Sequence, residues 1–429
     1  MSNQNLDSRI KILFVSDSYK NRPTANGICV EEIINGFGAD KYEIHVLCIR
    51  QGNELEDEKI SGVYVHRIKA DLVHYLRHCY ESRKRGMSQT VFHELMRLVN
   101  RIETFFFIGL FPMRNPLFAL RFAQKLDRLY KKYSFDCVIA SYCPFESVYA
   151  AYKLKCKYNV KTVFYFLDSI SNQKVAIRLP EGFLDRTGWN WEKRFFTQAD
   201  MVLNMDCHRK HYENTRYEDF RIKMEIVDIP HMIYHKVSNR ENREKALVIV
   251  YAGAIRENLI TDTIDILAPF LTDGNAELHF YGRNPVLYIE SYCRKKHLKN
   301  VFFEGAIPHD EMIEIESRAD VLLNMGNTDM DFTPSKIFEY MSFGGKILHV
   351  YRDTQDSCLP YFAKYPNSCC INVNENFDVN IDKVKAFINA KADRVPFGAV
   401  ENFFELNTPQ YTISKIQKVI EGLSWNEKK

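Results

Sequence analysis

The sequence predicts an α/β protein built from two parallel-sheet domains, and three observations carry that expectation. The chain has 429 residues, 46% of them hydrophobic, which exceeds one ordinary domain and suffices for two cores of roughly 200 residues each. Strand-like apolar runs alternate with helix-like stretches, the pattern of parallel sheets covered on both faces. That alternation occurs twice, and the stretch between its two halves, residues 236–245, is charged and nearly devoid of apolar side chains. The first domain is accordingly placed at residues 1–235 and the second at 246–408.

In the first half, residues 12–15, 43–49, 63–68, 137–140 and 162–167 read as strands. Helical patterns lie between them at 30–37 and 145–158, and residues 201–203 and 223–229 read as the last strands of this domain. The second alternation takes in strands at 246–251, 277–281, 301–304, 321–325 and 346–350. A closing segment, 409–423, has helical spacing at Ile413, Ile416, Ile420 and Leu423. In such sheets ligands bind beyond the carboxyl ends of the strands.

Composition narrows the class further. A net charge of +3 gives no reason to expect nucleic acid as a partner. Eleven cysteines without paired spacing, Cys369 and Cys370 being the one adjacent pair, point to reduced thiols rather than a disulfide framework. Residues 1–10 are polar and 11–15 too short for a signal core, and the longest apolar run, 105–111, falls short of the roughly 20 residues that cross a bilayer. The expectation is a cytoplasmic protein, soluble or peripheral on the inner face of the membrane.

The richest stretch runs from Asp331 to Glu339 (DFTPSKIFE), with YMSFGGKIL after it. Thr333 suits a helix cap and Pro334 the first helical position, while Gly344 and Gly345 end the helix before the strand 346–350. An exposed helix N-terminus presents free N–H groups and the positive end of a dipole to an anion. A phosphate there leaves Glu339, about two turns along, to accept from sugar hydroxyls, with Asp331 at the far end of the ligand. These are the features of a nucleotide-sugar site. Asp329 and Asp331 also spell an Asp-x-Asp, but the helix dipole already supplies positive potential, so no metal and no cofactor is expected.

With its ordered flanks, this stretch resembles the retaining glycosyltransferases of the two-Rossmann-domain (GT-B) fold, the group 1 or family 4 type. Their signature is Glu, seven residues, Glu; here Asp331 stands first, a shortened variant. The run Glu339 to Lys346, the segments 301–308 and 319–323, and Tyr251 to Ala254 also resemble family segments. The resemblance implies two Rossmann-like domains facing across a cleft, with the terminal helix 409–429 crossing back onto the first. It implies transfer of a sugar from a nucleotide-sugar donor to a saccharide or lipid-linked acceptor hydroxyl with retention of configuration, as in polysaccharide or glycolipid assembly. Glu339 would hold the ribose, Asp331 the donor sugar, and backbone N–H groups from Thr333 through Ser335 to Lys336 the diphosphate. Two rivals stand beside this reading: a nucleotide-sugar epimerase of the same fold, and a non-catalytic partner subunit of another transferase.

Other residues are less distinctive. Asn26 and Gly27 form a strand–glycine–helix turn, which family members place against donor phosphate or acceptor. Arg256, after the turn at Gly253, suits bidentate phosphate contact or is a surface arginine. Many relatives place an arginine directly after that glycine and a lysine five positions on, where this chain has Ala254 and Leu259. Asp168, at the mouth of the first sheet, orients an acceptor hydroxyl or caps the next segment. The histidine that often precedes that aspartate in relatives is replaced by Leu167. Gly282 and Arg283 line a base pocket or an ordinary loop. Cys207, His208 and His211 have tempting metal spacing but no second ligand pair.

Residues 72–133 hold twelve Lys or Arg against four Asp or Glu. Val91, Leu95, Leu98 and Ile102 share one helical face, with Arg97 and Arg101 on another, next to the aromatic run 105–111. This describes either an anionic membrane surface site or a core-packing helical pair with a wet basic face.

Overall fold

The computed structural model describes residues 9–20, 24–82, 87–172, 180–237, 246–253, 259–272, 274–282, 287–327 and 333–422. Asp331, Asp329, Arg256, Arg283 and residues 238–245 of the charged stretch lie outside them. The chain divides into two units: Met1–Asp228 with Pro409–Lys429, and Ile229–Thr408. Each is an α/β domain, its sheet wholly or, in the first unit, mainly parallel, the class the sequence predicts.

The first unit holds β1 (Ile10–Val15), β2 (Tyr42–Arg50), β3 (Asp57–Ile60), β4 (Val63–Lys69), β5 (Cys137–Tyr142), β6 (Lys161–Phe166), β7 (Met201–Met205) and β8 (Met224–Val227). They form one sheet in the order β3-β4-β2-β1-β5-β6-β7-β8. Its central strands are buried nearly throughout, as two-sided coverage by helices requires. β3 escapes the sequence reading for a physical reason. It is a charged edge strand, antiparallel to β4, and side-chain pairs hold it rather than apolar alternation. Its Glu58 meets the fully buried Arg67 of β4, whose Nε also lies 3.3 Å from Glu54, and its Asp57 lies 2.5 Å from His66 Nδ1.

The first helix runs over Ala25–Asn35, earlier than the expected 30–37. Thr24 is its cap, its Oγ1 accepting from Gly27 N at 3.0 Å, so Asn26 and Gly27 belong to the first helical turn. The helix Pro409–Glu421 packs in this unit. Lys161 Nζ donates to the Ile420 carbonyl (2.8 Å), Lys415 pairs with Glu225 (3.0 Å), and Ile413 lies where a Cβ on Gly36 would intrude.

At the centre of β2, His45 is fully buried. It stacks on Tyr64 and His66, and its ring nitrogens lie 3.0 Å from His66 Nε2 and from Glu43 Oε1. Burial pushes its pKa down to about 4 against the opposing pull of Glu43, and His66 is lowered for the same reason. A histidine whose folded pKa is depressed contributes stability above its unfolded pKa near 6.5 and loses it as pH falls towards 4. We expect His45 to account for a loss of about 2 kcal/mol between pH 7 and pH 5. The loss should shrink in His45→Phe, as followed by urea unfolding at pH 7 and pH 5.

The second unit holds β9 (Leu247–Ala252), β10 (Ala276–Tyr281), β11 (Val301–Gly305), β12 (Val321–Met325), β13 (Lys346–Tyr351) and β14 (Ser368–Asn372). Its sheet order is β11-β10-β9-β12-β13-β14, with every pairing parallel. β14 carries Cys369 and Cys370, and all eleven cysteines are free thiols.

Candidate functional site

The carboxyl end of the second sheet is rimmed by backbone. Gly253 follows β9 with φ of 142°, and Gly282 follows β10; a Cβ on Gly282 would lie 2.3 Å from the Gly253 carbonyl oxygen. Only glycine lets these two turns touch and leaves the main chain bare to a ligand. Tyr340 ties the next element to this rim. Its hydroxyl accepts from Ala252 N at 2.9 Å, fixing the helix Lys336–Ser342 against the end of β9.

That helix starts later than expected. Ser335, not Thr333, stands at its N-cap in helical conformation, and no side chain caps it. Tight turns from Ile337 N to the Pro334 carbonyl and from Phe338 N to the Ser335 carbonyl wind this entry, while Thr333 is buried. The cap geometry expected of Thr333 and Pro334 is therefore replaced by a short turn. Gly344 does end the segment, in left-handed conformation with φ of 69°.

Behind this turn lies a buried charge cluster. Lys336 Nζ hydrogen-bonds Glu339 Oε1 and sits 2.9 Å from Oε1 of Glu316, which has no exposed surface. His309 Nε2 lies 3.7 Å from Glu339 Oε2. Glu316 is fully buried and Glu339 nearly so, and two such carboxyls beside the one partly buried ammonium of Lys336 cannot both be charged cheaply. Burial together with the Glu339 neighbour pushes the Glu316 carboxyl well above the usual carboxylate range. Burial also opposes charge on Glu339, but the hydrogen bond with Glu316 and the Lys336 ammonium outweigh it and hold its pKa near 2. Glu339 is thus an ionised acceptor with one oxygen committed to Lys336 and the other directed towards His309. His231, buried in the same unit, is held neutral by burial with its pKa near 4, although Glu339 pulls the other way.

The structure thus brings Gly253, Gly282, Ser335, Lys336 and Glu339 into one unit and adds Glu316, His309 and His231, which sequence reasoning passes over. Glu316 is detectable in principle: it follows Met312 by four positions on the buried face of the helix His309–Arg318.

Asp168, Asn26 and Gly27 lie in the first unit. Gly27 is buried, and a Cβ there would meet Ser18 Oγ at 2.1 Å; its smallness serves the close approach of the β1 loop. That loop carries Asp17, which accepts from Ser16 and Ser18 hydroxyls at 3.3 Å, its carboxyl pushed up by burial. Asp168 follows β6, and the residues after it are clamped. The buried Glu192 accepts from Ser169 Oγ, Ile170 N, Ser171 N and Ser171 Oγ at 2.6–3.1 Å, and from the Tyr217 hydroxyl at 2.6 Å. His211 joins this network, its Nε2 being 2.8 Å from the Tyr217 hydroxyl. Among the described residues no group of three His, Cys, Asp or Glu is placed to hold a metal ion.

The stripe at Val91, Leu95, Leu98 and Ile102 is not core. These residues of the helix Met87–Phe107 are 43–53% exposed, Phe105 and Phe106 are 76% and 72% exposed, and Thr104 is its one buried residue. Polar contacts hold the other side: Arg114 Nη1 donates to Asn100 (3.0 Å), Asn115 Nδ2 to Glu103 (3.1 Å), and Tyr80 lies against His93. No described helix is long and apolar enough to cross a membrane.

Two parallel α/β domains with these connections define the GT-B glycosyltransferase fold. Residues 27–204, most of the first unit, match the family model described as Glycosyltransferase Family 4. Among solved structures, the chain is similar to the apo form of the lipopolysaccharide outer core galactosyltransferase WaaB (14% identity, TM-score 0.52, 96% of this chain and 99% of that one). It is also similar to the trehalose-6-phosphate protein from E. coli bound with UDP-2-fluoro glucose (10% identity, TM-score 0.58, 96% and 99%). A third likeness is to a putative UDP-N-acetylglucosamine 2-epimerase from Listeria monocytogenes (10% identity, TM-score 0.54, 98% and 99%). No curated protein matches the sequence.

Proposed function

We propose that the protein is a retaining glycosyltransferase that moves a sugar from a nucleotide-sugar donor to an acceptor hydroxyl. The observation that carries this reading is the buried Glu339 carboxyl, hydrogen-bonded to Lys336 with Glu316 behind it, on the helix that Tyr340 ties to the glycine rim of the second sheet. In this reading the Glu339 carboxylate accepts the ribose hydroxyls, and Asp331 binds the donor sugar. Backbone N–H groups of Thr333, Ser335 and Lys336 meet the diphosphate. Because Lys336 is shared between two carboxyls, most of its charge serves Glu339 rather than phosphate. Donors aimed at the departing diphosphate stabilise charge where it develops, and that diphosphate takes the acceptor proton without a metal. Asp168, on its clamped loop, orients the acceptor. The family match over residues 27–204 and the nucleotide-sugar bound to one structural neighbour support the reading.

Calorimetric titration with a panel of nucleotides and nucleotide sugars tests it. Saturable binding of one nucleotide class, followed by sugar transfer to an added acceptor, is the expected result. The epimerase neighbour favours one rival; altered donor sugar without acceptor would establish that rival instead. No binding by folded protein would leave the partner-subunit reading.

We further place the enzyme at the cytoplasmic face of an anionic membrane, in polysaccharide or glycolipid assembly. The outward apolar stripe of Met87–Phe107 within a segment rich in Lys and Arg supports this. Vesicles containing phosphatidylglycerol should co-sediment the protein, and the double substitution Phe105→Asp, Phe106→Asp should weaken this on the order of 100-fold. Undiminished binding by that variant, or none by the wild type, would overturn the placement.

A further inference from the structure

The first unit contains a cavity of about 910 Å³ that none of the residues assigned to glycosyl transfer lines; its walls include Arg50, Gly52, Lys69, Tyr75 and His78. It lies at the carboxyl ends of β2 and β4, where parallel sheets bind ligands. Arg50 and Lys69 are the last residues of those strands and direct register partners, so the two cations stand side by side. Like charges so placed repel unless something lies between them. Neither side chain has a hydrogen-bond or ion-pair partner among the described residues, and Arg50 Nε is buried without one. The acid in the lining, Asp71, is already committed: its Oδ1 caps the helix Leu72–Glu81, accepting from His74 N at 2.9 Å, and lies 2.6 Å from His74 Nδ1. His78 presses on the loop at Gly52, where a Cβ would lie 3.0 Å from its Nε2.

We propose that this pocket binds a phosphate-bearing ligand, with the phosphate between Arg50 and Lys69. A guanidinium offers paired N–H donors to two phosphate oxygens, and the ammonium adds a point charge, so a dianion neutralises the pair. His78 adds a third donor. The volume exceeds a bare phosphate and admits an attached sugar or glycerol, which the half-exposed Leu72 and Tyr75 flank. Its role as the subsite for an acidic acceptor rests on the glycosyl-transfer reading; the binding itself does not.

The test is calorimetric titration of the full chain with inorganic phosphate, with glycerol 3-phosphate and with vesicles of phosphatidylglycerol in phosphatidylcholine. Saturable binding of at least one probe is expected, weakened about tenfold or more by Arg50→Ala and several-fold by Lys69→Ala. Lys69 is exposed, so its variant reports even if the partly buried Arg50 proves necessary for folding. Binding of glycerol 3-phosphate identifies a soluble phosphate ester. Binding of vesicles alone, measured in the Phe105→Asp, Phe106→Asp background and weakened by both Arg50→Ala and Lys69→Ala, identifies a lipid headgroup. Nucleotide binding should be unchanged in both variants, which separates this pocket from the Glu339 site. No saturable binding of any probe, or binding that both substitutions leave untouched, overturns the proposal.

Discussion

Replacing Glu339 by alanine is expected to weaken nucleotide-sugar binding by on the order of 100-fold or more and to stop turnover, with the fold intact. The carboxylate is held ionised in a dry site, and hydrogen bonds from hydroxyls to a charged acceptor are worth about 1.5–3 kcal/mol each. Two such bonds to a ribose correspond to two or more decades in affinity. The fold should survive because Lys336 keeps Glu316 at 2.9 Å, and Glu316 can ionise once its neighbour is gone. Glu339→Gln should fall between, since an amide oxygen accepts but carries no charge. With the Glu339 pKa near 2, wild-type binding should not vary from pH 5 to 8 through this residue. A Kd for nucleotide that Glu339→Ala leaves unmoved would sink the assignment.

Lys336→Met should produce the second large effect, this time on stability. The ammonium is the cation that Glu316 and Glu339 share, and removing one partner of a buried ionic group leaves an uncompensated charge. We expect a loss of about 3 kcal/mol at pH 7 by urea unfolding. Glu339 sets how that loss varies with pH. In the wild type, its folded pKa is below its unfolded value, so it contributes stability above that unfolded value and loses it as pH falls towards 2. In Lys336→Met the order reverses: burial dominates, the folded pKa rises, and the destabilisation is relieved as acid neutralises the carboxyl. The deficit should therefore shrink between pH 7 and pH 5. Adding Glu339→Gln should restore most of the stability without restoring donor binding. A deficit that does not depend on pH would assign the effect to packing of the lysine stem instead.

These two residues also mark how much of the site is legible in the sequence. The Asp331-to-Glu339 stretch declares itself by its chemistry and by its C-terminal flank, Gly344 included. The state of Glu339 does not, because Glu316 and His309, which with Lys336 set that state, stand on another helix more than twenty residues upstream. Thr333 misleads for a related reason. Its type suits a cap, but the turn at Pro334 and burial of Thr333 move the helix start to Ser335. At the other end of the chain, Thr24 is hard to recognise as a cap because Asn26 and Gly27 look like turn residues.

By itself the sequence determined the two α/β domains and most strand positions. Apolar runs of strand length and their alternation with helical spacing are local properties, readable without distant partners. It also determined that Val91, Leu95, Leu98 and Ile102 share a helical face. Tertiary structure alone decided that this face points outward, that a charged edge strand closes the first sheet, and that Arg50 stands beside Lys69. Periodicity states which residues lie together on an element, whereas burial, register and charge state depend on partners brought from distant parts of the chain.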